Sequence, residues 1–264
     1  MPPTTRDAWL SHHRAARALA AFQELAPREP FVVVKGVALC ARYGWDPASV
    51  PISDVDLRIT PRTWWRLRAQ LRGDPRLRVD APLYANLVLV LDNYLVDLEA
   101  TCGPPFLTRL SVQGLLRRAE LAQVPGAEPF LVPQTTDHAL LLAINLFKDG
   151  LDPEARTARA NAIRLVEEPD FDGDTFVGRA THARMHGIAK AAADSLAAES
   201  GRWAELAKAL GPPRDGLYAL AHGRSHARRS AWPARIVRRL GSDSWRDRVV
   251  SLSLGASIFS SGGR

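Results

Sequence analysis

The sequence predicts an α+β protein: a small mixed-sheet domain over residues 1–130, a mostly α-helical domain over 131–250, and a flexible tail over 251–264. Three observations predict it. Short β-branched or alternating runs, "FVVV", "ISDVDLRI", "ANLVLVL" and "YLVDLEAT", all fall before residue 102. After "PGAEPFLVPQT" the texture changes to segments of helical spacing, and the boundary is expected near residues 125–135. The chain is 46% hydrophobic over 264 residues, enough to build one large core or two small ones.

Each element has a local reason. The N-terminal stretch through Leu25 reads as an amphipathic helix with Trp9, Leu19, Phe22 and Leu25 as core candidates. "FVVV" is a strand ended by Lys35–Gly36, and "VALCARYG" is a short helix closing at Gly44. In "ISDVDLRI" the alternation puts Ile52, Asp54, Asp56 and Arg58 on one face and Val55, Leu57 and Ile59 on the other. "PRTWWRLRAQLRG" opens on Pro and stops before Gly73, with Trp64, Leu67 and Leu71 as a packing stripe. Two β-rich runs flank Asp92–Asn93, a tight-turn signal, and in the second run Leu95, Asp97 and Glu99 share a face. Five helical segments follow: "TDHALLLAINLFKDG", "EARTARANAIRLVEE", "DTFVGRATHARMHG", "IAKAAADSLAAESG" and "RWAELAKALG".

Composition narrows the classes. No run approaches the roughly 18 apolar residues of a membrane span, and the N-terminus lacks the apolar core of a secretory signal. Cys40 and Cys102 are too few for a disulfide framework, so a cytoplasmic protein is expected. The net charge of +7 is concentrated: residues 223–248 hold eight Arg against two Asp, while the rest is near neutral. Such a region favours RNA or another polyanion weakly, against the plainer reading of a solvated Arg-rich surface. Lysine is scarce, with Lys35, Lys148, Lys190 and Lys208 the whole set.

The paired aspartates carry the chemistry. Asp54 and Asp56 face the same way on a strand, where two carboxylates repel each other and resist burial unless cations sit between them. Such a pair fits two Mg²⁺ ions (Mn²⁺ as the alternative) about 3.5–4 Å apart, the arrangement of in-line phosphoryl and nucleotidyl transfer. Asp97 is the candidate third carboxylate and Glu99 the reserve. "VVVKG" supplies a strand-end glycine opening a helix, an anion site by its N–H groups, and Lys35 supplies a positive charge.

The run "VVVKGVALCARYG…PISDVDLRIT…YLVDLEAT" resembles a nucleotidyltransferase of the DNA polymerase beta superfamily. Within it the pattern is most similar to the bacterial group usually called the uncharacterised nucleotidyltransferase family. The similarity spans about residues 15–200, and its specific part is residues 33–59 and 95–100. "LVPQTTDHALLLAINLFKDGL" resembles the entry to that family's helical domain. Two positions depart: Val50 stands where the family often has Arg before its D-x-D, and Glu99 where it commonly has His. The resemblance implies that Asp54 and Asp56 bind both metals and that Asp97 binds the catalytic one and helps deprotonate a hydroxyl acceptor. That acceptor takes an NMP from an NTP, ATP among the candidates, with release of pyrophosphate. Lys35, Gly36 and Lys148 are the expected nucleotide contacts. The acceptor is a small molecule, a protein or RNA. The alternative is a non-catalytic nucleotide-binding or antitoxin-like module of the same fold.

Weaker candidates complete the reading. His138, Asn145 and Lys148 fall near one face of a helix, read as its wet side with Lys148 the best nucleotide contact. "PDFDGD" fails the calcium-loop pattern, with Asp174 taken as the cap of the next helix. His182/His186 and His222/His226 have i, i+4 spacing but no third zinc ligand.

Overall fold

A computed structural model of the chain describes residues 5–81, 85–103 and 107–212. Among the described residues it is a mixed α/β structure with a seven-stranded mixed sheet. The chain divides into two compact units, one of residues 1–102 and 111–134, the other of residues 103–110 and 135–264. Among the described residues no helix is long and apolar enough to cross a membrane. The basic region 223–248, the His222/His226 pair and the tail 251–264 lie outside the described residues.

In the first unit the order is α1 (Thr5–Leu25), β1 (Phe31–Val34), α2 (Gly36–Tyr43), β2 (Asp54–Ile59), α3 (Pro61–Gln70), β3 (Leu77–Ala81), β4 (Asn86–Leu91), β5 (Tyr94–Glu99), α4 (Val112–Arg118), β6 (Glu120–Ala122) and β7 (Phe130–Val132). The strands lie in the order β3-β4-β5-β2-β1-β7-β6. β2 runs parallel to β5 and antiparallel to β1. Alternation sorts the sheet's two faces. Val33, Val55, Leu57, Ile59, Leu87, Leu89, Val96 and Leu98 are buried in one cluster with Leu19 and Phe22 of α1 and Trp64 and Leu67 of α3. Their burial is the main stabilising term here. The opposite face carries the acidic residues.

The turn between β4 and β5 has φ of 49° at Asp92 and 59° at Asn93, the left-handed pair that a two-residue hairpin requires. α3 begins where the Thr60 hydroxyl accepts from the Thr63 N–H at 3.1 Å, with Pro61 in its first turn. α2 ends at Gly44 in the left-handed region, φ 63°. Trp9 is a correction: it is 55% exposed, because the buried stripe of α1 runs Ala8, Ala15, Leu19 and Phe22 and Trp9 stands one position off it.

Among the described residues the second unit is helical: α5 (Thr135–Lys148), α6 (Arg156–Val166), α7 (Gly173–His182), α8 (His186–Leu196) and α9 (Gly201–Leu210). α5 is buried on nearly every side, and its fully buried Asp137 pairs with Arg179 at 2.9 Å. Trp203 packs edge-on against Phe176 and donates to the Ala162 carbonyl at 3.0 Å. Three expectations are corrected here. His138 is buried, so it does not share a wet face with the exposed Lys148; Asn145 lies between the two in exposure. The cap of α7 is Asp172, whose Oδ1 accepts from the N–H groups of Asp174 and Thr175, both at 3.0 Å. The "HARMH" run is not one helix: α7 stops at His182, Arg184 takes φ 53°, and α8 restarts at His186. His186 is spent on the Leu210 carbonyl, 2.7 Å from its Nε2.

Candidate metal and phosphate site

The acidic face is built row by row from the strand register. One row across the sheet pairs Val88 with Asp97, Asp97 with Asp56, and Asp56 with Val34. The next pairs Asn86 with Glu99, Glu99 with Arg58, and Arg58 with Val32. Neighbouring strands lie about 4.8 Å apart, so the parallel β2–β5 register is what brings Asp97 beside Asp56. One carboxylate oxygen each from Asp56, Asp97 and Glu99 lies within 4.8 Å of the others. Asp54, one row further along β2, is not in that cluster; the Ser53 hydroxyl donates to its Oδ1 at 3.1 Å.

Two cations sit against the three carboxylates. Lys35 Nζ is 2.6 Å from Asp56 Oδ1, and Arg58 Nη2 is 3.0 Å from Glu99 Oε2. Burial and the neighbouring Arg58 work against the charge on Lys35, but the charge and hydrogen bond of Asp56 together with the charge of Glu99 outweigh them and the ammonium is held above its ordinary pKa. The Asp97 carboxyl is pushed up to about 6, first by burial and then by the negative charges of Glu99 and Asp56, with Arg58 and Lys35 acting in the opposite sense. Asp97 Oδ1 is buried without a hydrogen-bond partner. Three hard oxygen donors and a buried carboxylate oxygen with no protein partner fit a Mg²⁺- or Mn²⁺-sized ion, which bonds oxygens at about 2.0–2.1 Å.

The Lys35–Gly36 turn is tightly constrained. Lys35 has φ 60° and ψ −144°, a conformation that side-chain-bearing residues rarely hold and that costs about 1–3 kcal/mol. A Cβ on Gly36 would lie 2.0 Å from Ile52 Cγ2, so only glycine fits beneath the loop before β2. That loop is tied down on both sides. Tyr94 Oη donates to the Ile52 carbonyl at 3.1 Å, and His12 Nε2 donates to the Val50 carbonyl at 2.7 Å. Burial, reinforced by Asp54, pushes the Tyr94 hydroxyl up to about 12, so it remains a donor. The residue before α2, Lys35, does not cap it with its side chain, and α2 begins at Gly36. Cys40, on α2, is half-buried with its Sγ 3.9 Å from His12 Nε2.

Lys35, Asp56, Asp97 and Glu99 therefore come together with Gly36 beside them, and Lys148 belongs to the other unit. Sequence reasoning assigned Arg58 no role. The signal was its place on the same face as Asp56, but its partner Glu99 follows only from the β2–β5 register. Compared with known proteins, the chain matches no family model, and no curated protein is significantly similar to it.

Proposed function

We propose that the sheet carries a divalent-metal site for phosphoryl-group chemistry on a nucleotide. More particularly, the reading is a nucleotidyltransferase of the DNA polymerase beta superfamily, with a catalytic sheet domain followed by a helical domain, acting in the cytoplasm. The observation that carries this reading is the convergence of Asp56, Asp97 and Glu99 with Lys35 at a strand end that opens a helix. Asp54, next on the same face, is the reserve ligand for a second ion.

The chain's own residues have distinct tasks in this reading. Asp56, Asp97 and Glu99 hold the metal, which supplies Lewis-acid charge to the reacting phosphate. Lys35 and the backbone N–H groups opening α2 hold the β- and γ-phosphates. The acceptor hydroxyl oxygen bonds to the α-phosphorus, the bond from that phosphorus to the β-bridging oxygen breaks, and pyrophosphate leaves. The hydroxyl proton goes to the Asp97 carboxylate. Lys148 is kept as a nucleotide contact on the sequence pattern alone, and an RNA acceptor on the basic 223–248 region alone.

A second reading keeps the fold without catalysis. It is favoured by one observation: both cations are already paired with cluster carboxylates. The experiment that separates the two incubates the protein with each labelled NTP, Mg²⁺ or Mn²⁺, and cell extract. Label moving to any acceptor, and lost in Asp56→Ala, supports transfer. Metal-dependent NTP binding without transfer supports the module. Full transfer by a folded Asp56→Ala or Asp54→Asn protein would remove that aspartate from the site.

A further inference from the structure

We propose that Arg58 is a built-in counter-cation of the carboxylate cluster: with Lys35 it holds down the affinity for a free divalent ion, so that metal loading is coupled to the arrival of a polyphosphate. The inference rests on the metal reading above.

Arg58 lies within β2, its side chain only 6% exposed. Nη2 pairs with Glu99, while Nε and Nη1 are buried with no hydrogen-bond partner. A buried guanidinium with two unmade donor bonds is destabilising by itself, and an apolar side chain of similar volume is commonly the more stable choice in such a place. What offsets it here is the negative potential of Asp56, Asp97 and Glu99. Counting the groups that face one another, three carboxylates against Lys35 and Arg58 leave a net charge of −1. A divalent ion entering the cluster meets two fixed positive charges, and each repels it with twice the energy of a unit pair at that distance.

The two cations are not equivalent. Lys35 stands at the end of β1 on a flexible stem, and a triphosphate on the α2 N-terminus competes with Asp56 for its ammonium. Arg58 is enclosed in the sheet and cannot leave. Polyphosphate therefore removes the share of Lys35 and adds its own ligands, while Arg58 sets a constant opposing charge. Removing Arg58 loosens Glu99, which weakens metal binding, and also deletes a repulsive charge, which strengthens it. The charge effect is the larger in a buried cluster, because solvent screens it least there.

The test is Mn²⁺ binding to purified full-length protein without nucleotide, read as free Mn²⁺ by electron paramagnetic resonance at low salt. Arg58→Met binds Mn²⁺ about tenfold tighter or more, and Arg58→Lys stays within about threefold of wild type. Glu99→Gln, with both cations kept, binds far more weakly. The double variant R58M/E99Q restores the net charge of −1 and returns to within about threefold of wild type. If Arg58→Met does not fold, Arg58→Gln, which still hydrogen-bonds Glu99, gives the same reading. Unchanged or weaker binding after loss of the Arg58 charge overturns the inference and leaves the metal site standing, as does a double variant that behaves like Glu99→Gln. No Mn²⁺ binding by wild type or by either charge-removing variant overturns the metal reading itself.

Discussion

Replacing Asp97 by Asn should stabilise the metal-free protein at neutral pH. Asn has the shape of a protonated Asp and carries no charge, so the substitution isolates the cost of ionising this carboxyl in place. The folded-state pKa is raised from 3.8 to about 6, chiefly by burial. A raised carboxyl contributes stability that is fully present below the unfolded value and is lost as pH rises through the folded one. Two pKa units correspond to just under 3 kcal/mol. Because Asp97 as a whole is only half-buried, solvent screening brings the expected difference to about 2 kcal/mol. Urea unfolding followed by the fluorescence of Trp45 and Trp64, both buried in the sheet unit, reads it directly. The difference between Asp97→Asn and wild type should be near zero below pH 4, grow between pH 4 and 6, and level at about 2 kcal/mol by pH 7. Saturating Mg²⁺ should reverse its sign by stabilising only the wild type. A variant less stable than wild type at pH 7 without metal, or a difference that does not change with pH, would refute the electrostatic reasoning.

Two further substitutions probe other parts of the structure. Gly36→Ala should destabilise by about 1–3 kcal/mol and weaken NTP binding, because its Cβ would fall 2.0 Å from Ile52 Cγ2; adding Ile52→Ala should recover part of both losses in melting and titration. Asp172→Ala should lower the melting temperature through loss of about 1 kcal/mol, since two N–H groups opening α7 lose their acceptor, and metal binding should be unchanged.

Much of the site-bearing half could be read from residue order because its signals are local. The alternation of "DVDLRI" and "YLVDLE" sorts core from acidic face within one strand, and Asp92–Asn93 names its own turn. Lys35–Gly36 was visible as punctuation between an apolar run and a helix. The rest depends on what lies across space. β6 and β7 are three residues each, too short for any period to register. His138 has the polarity of a surface position, and only the packing around α5 buries it. The break after His182 carries neither Gly nor Pro; Arg184 takes the left-handed conformation in their stead. The third carboxylate shows the limit most clearly. Asp97 and Glu99 are equal by alternation, and the parallel pairing sets Asp97 beside Asp56 and Glu99 beside Arg58. Glu99, one row from the Asp56–Asp97 pair, joins the cluster; Asp54, one row off on the other side and opposite Leu95, lies next to it on the same face.

The most direct measurement is the anomalous diffraction of crystals grown with Mn²⁺ and a non-hydrolysable nucleotide triphosphate. The account predicts a manganese peak bounded by carboxylate oxygens of Asp56, Asp97 and Glu99, with the triphosphate running toward Lys35 and Gly36. A well-ordered nucleotide bound elsewhere, or no metal between those three side chains, would contradict it.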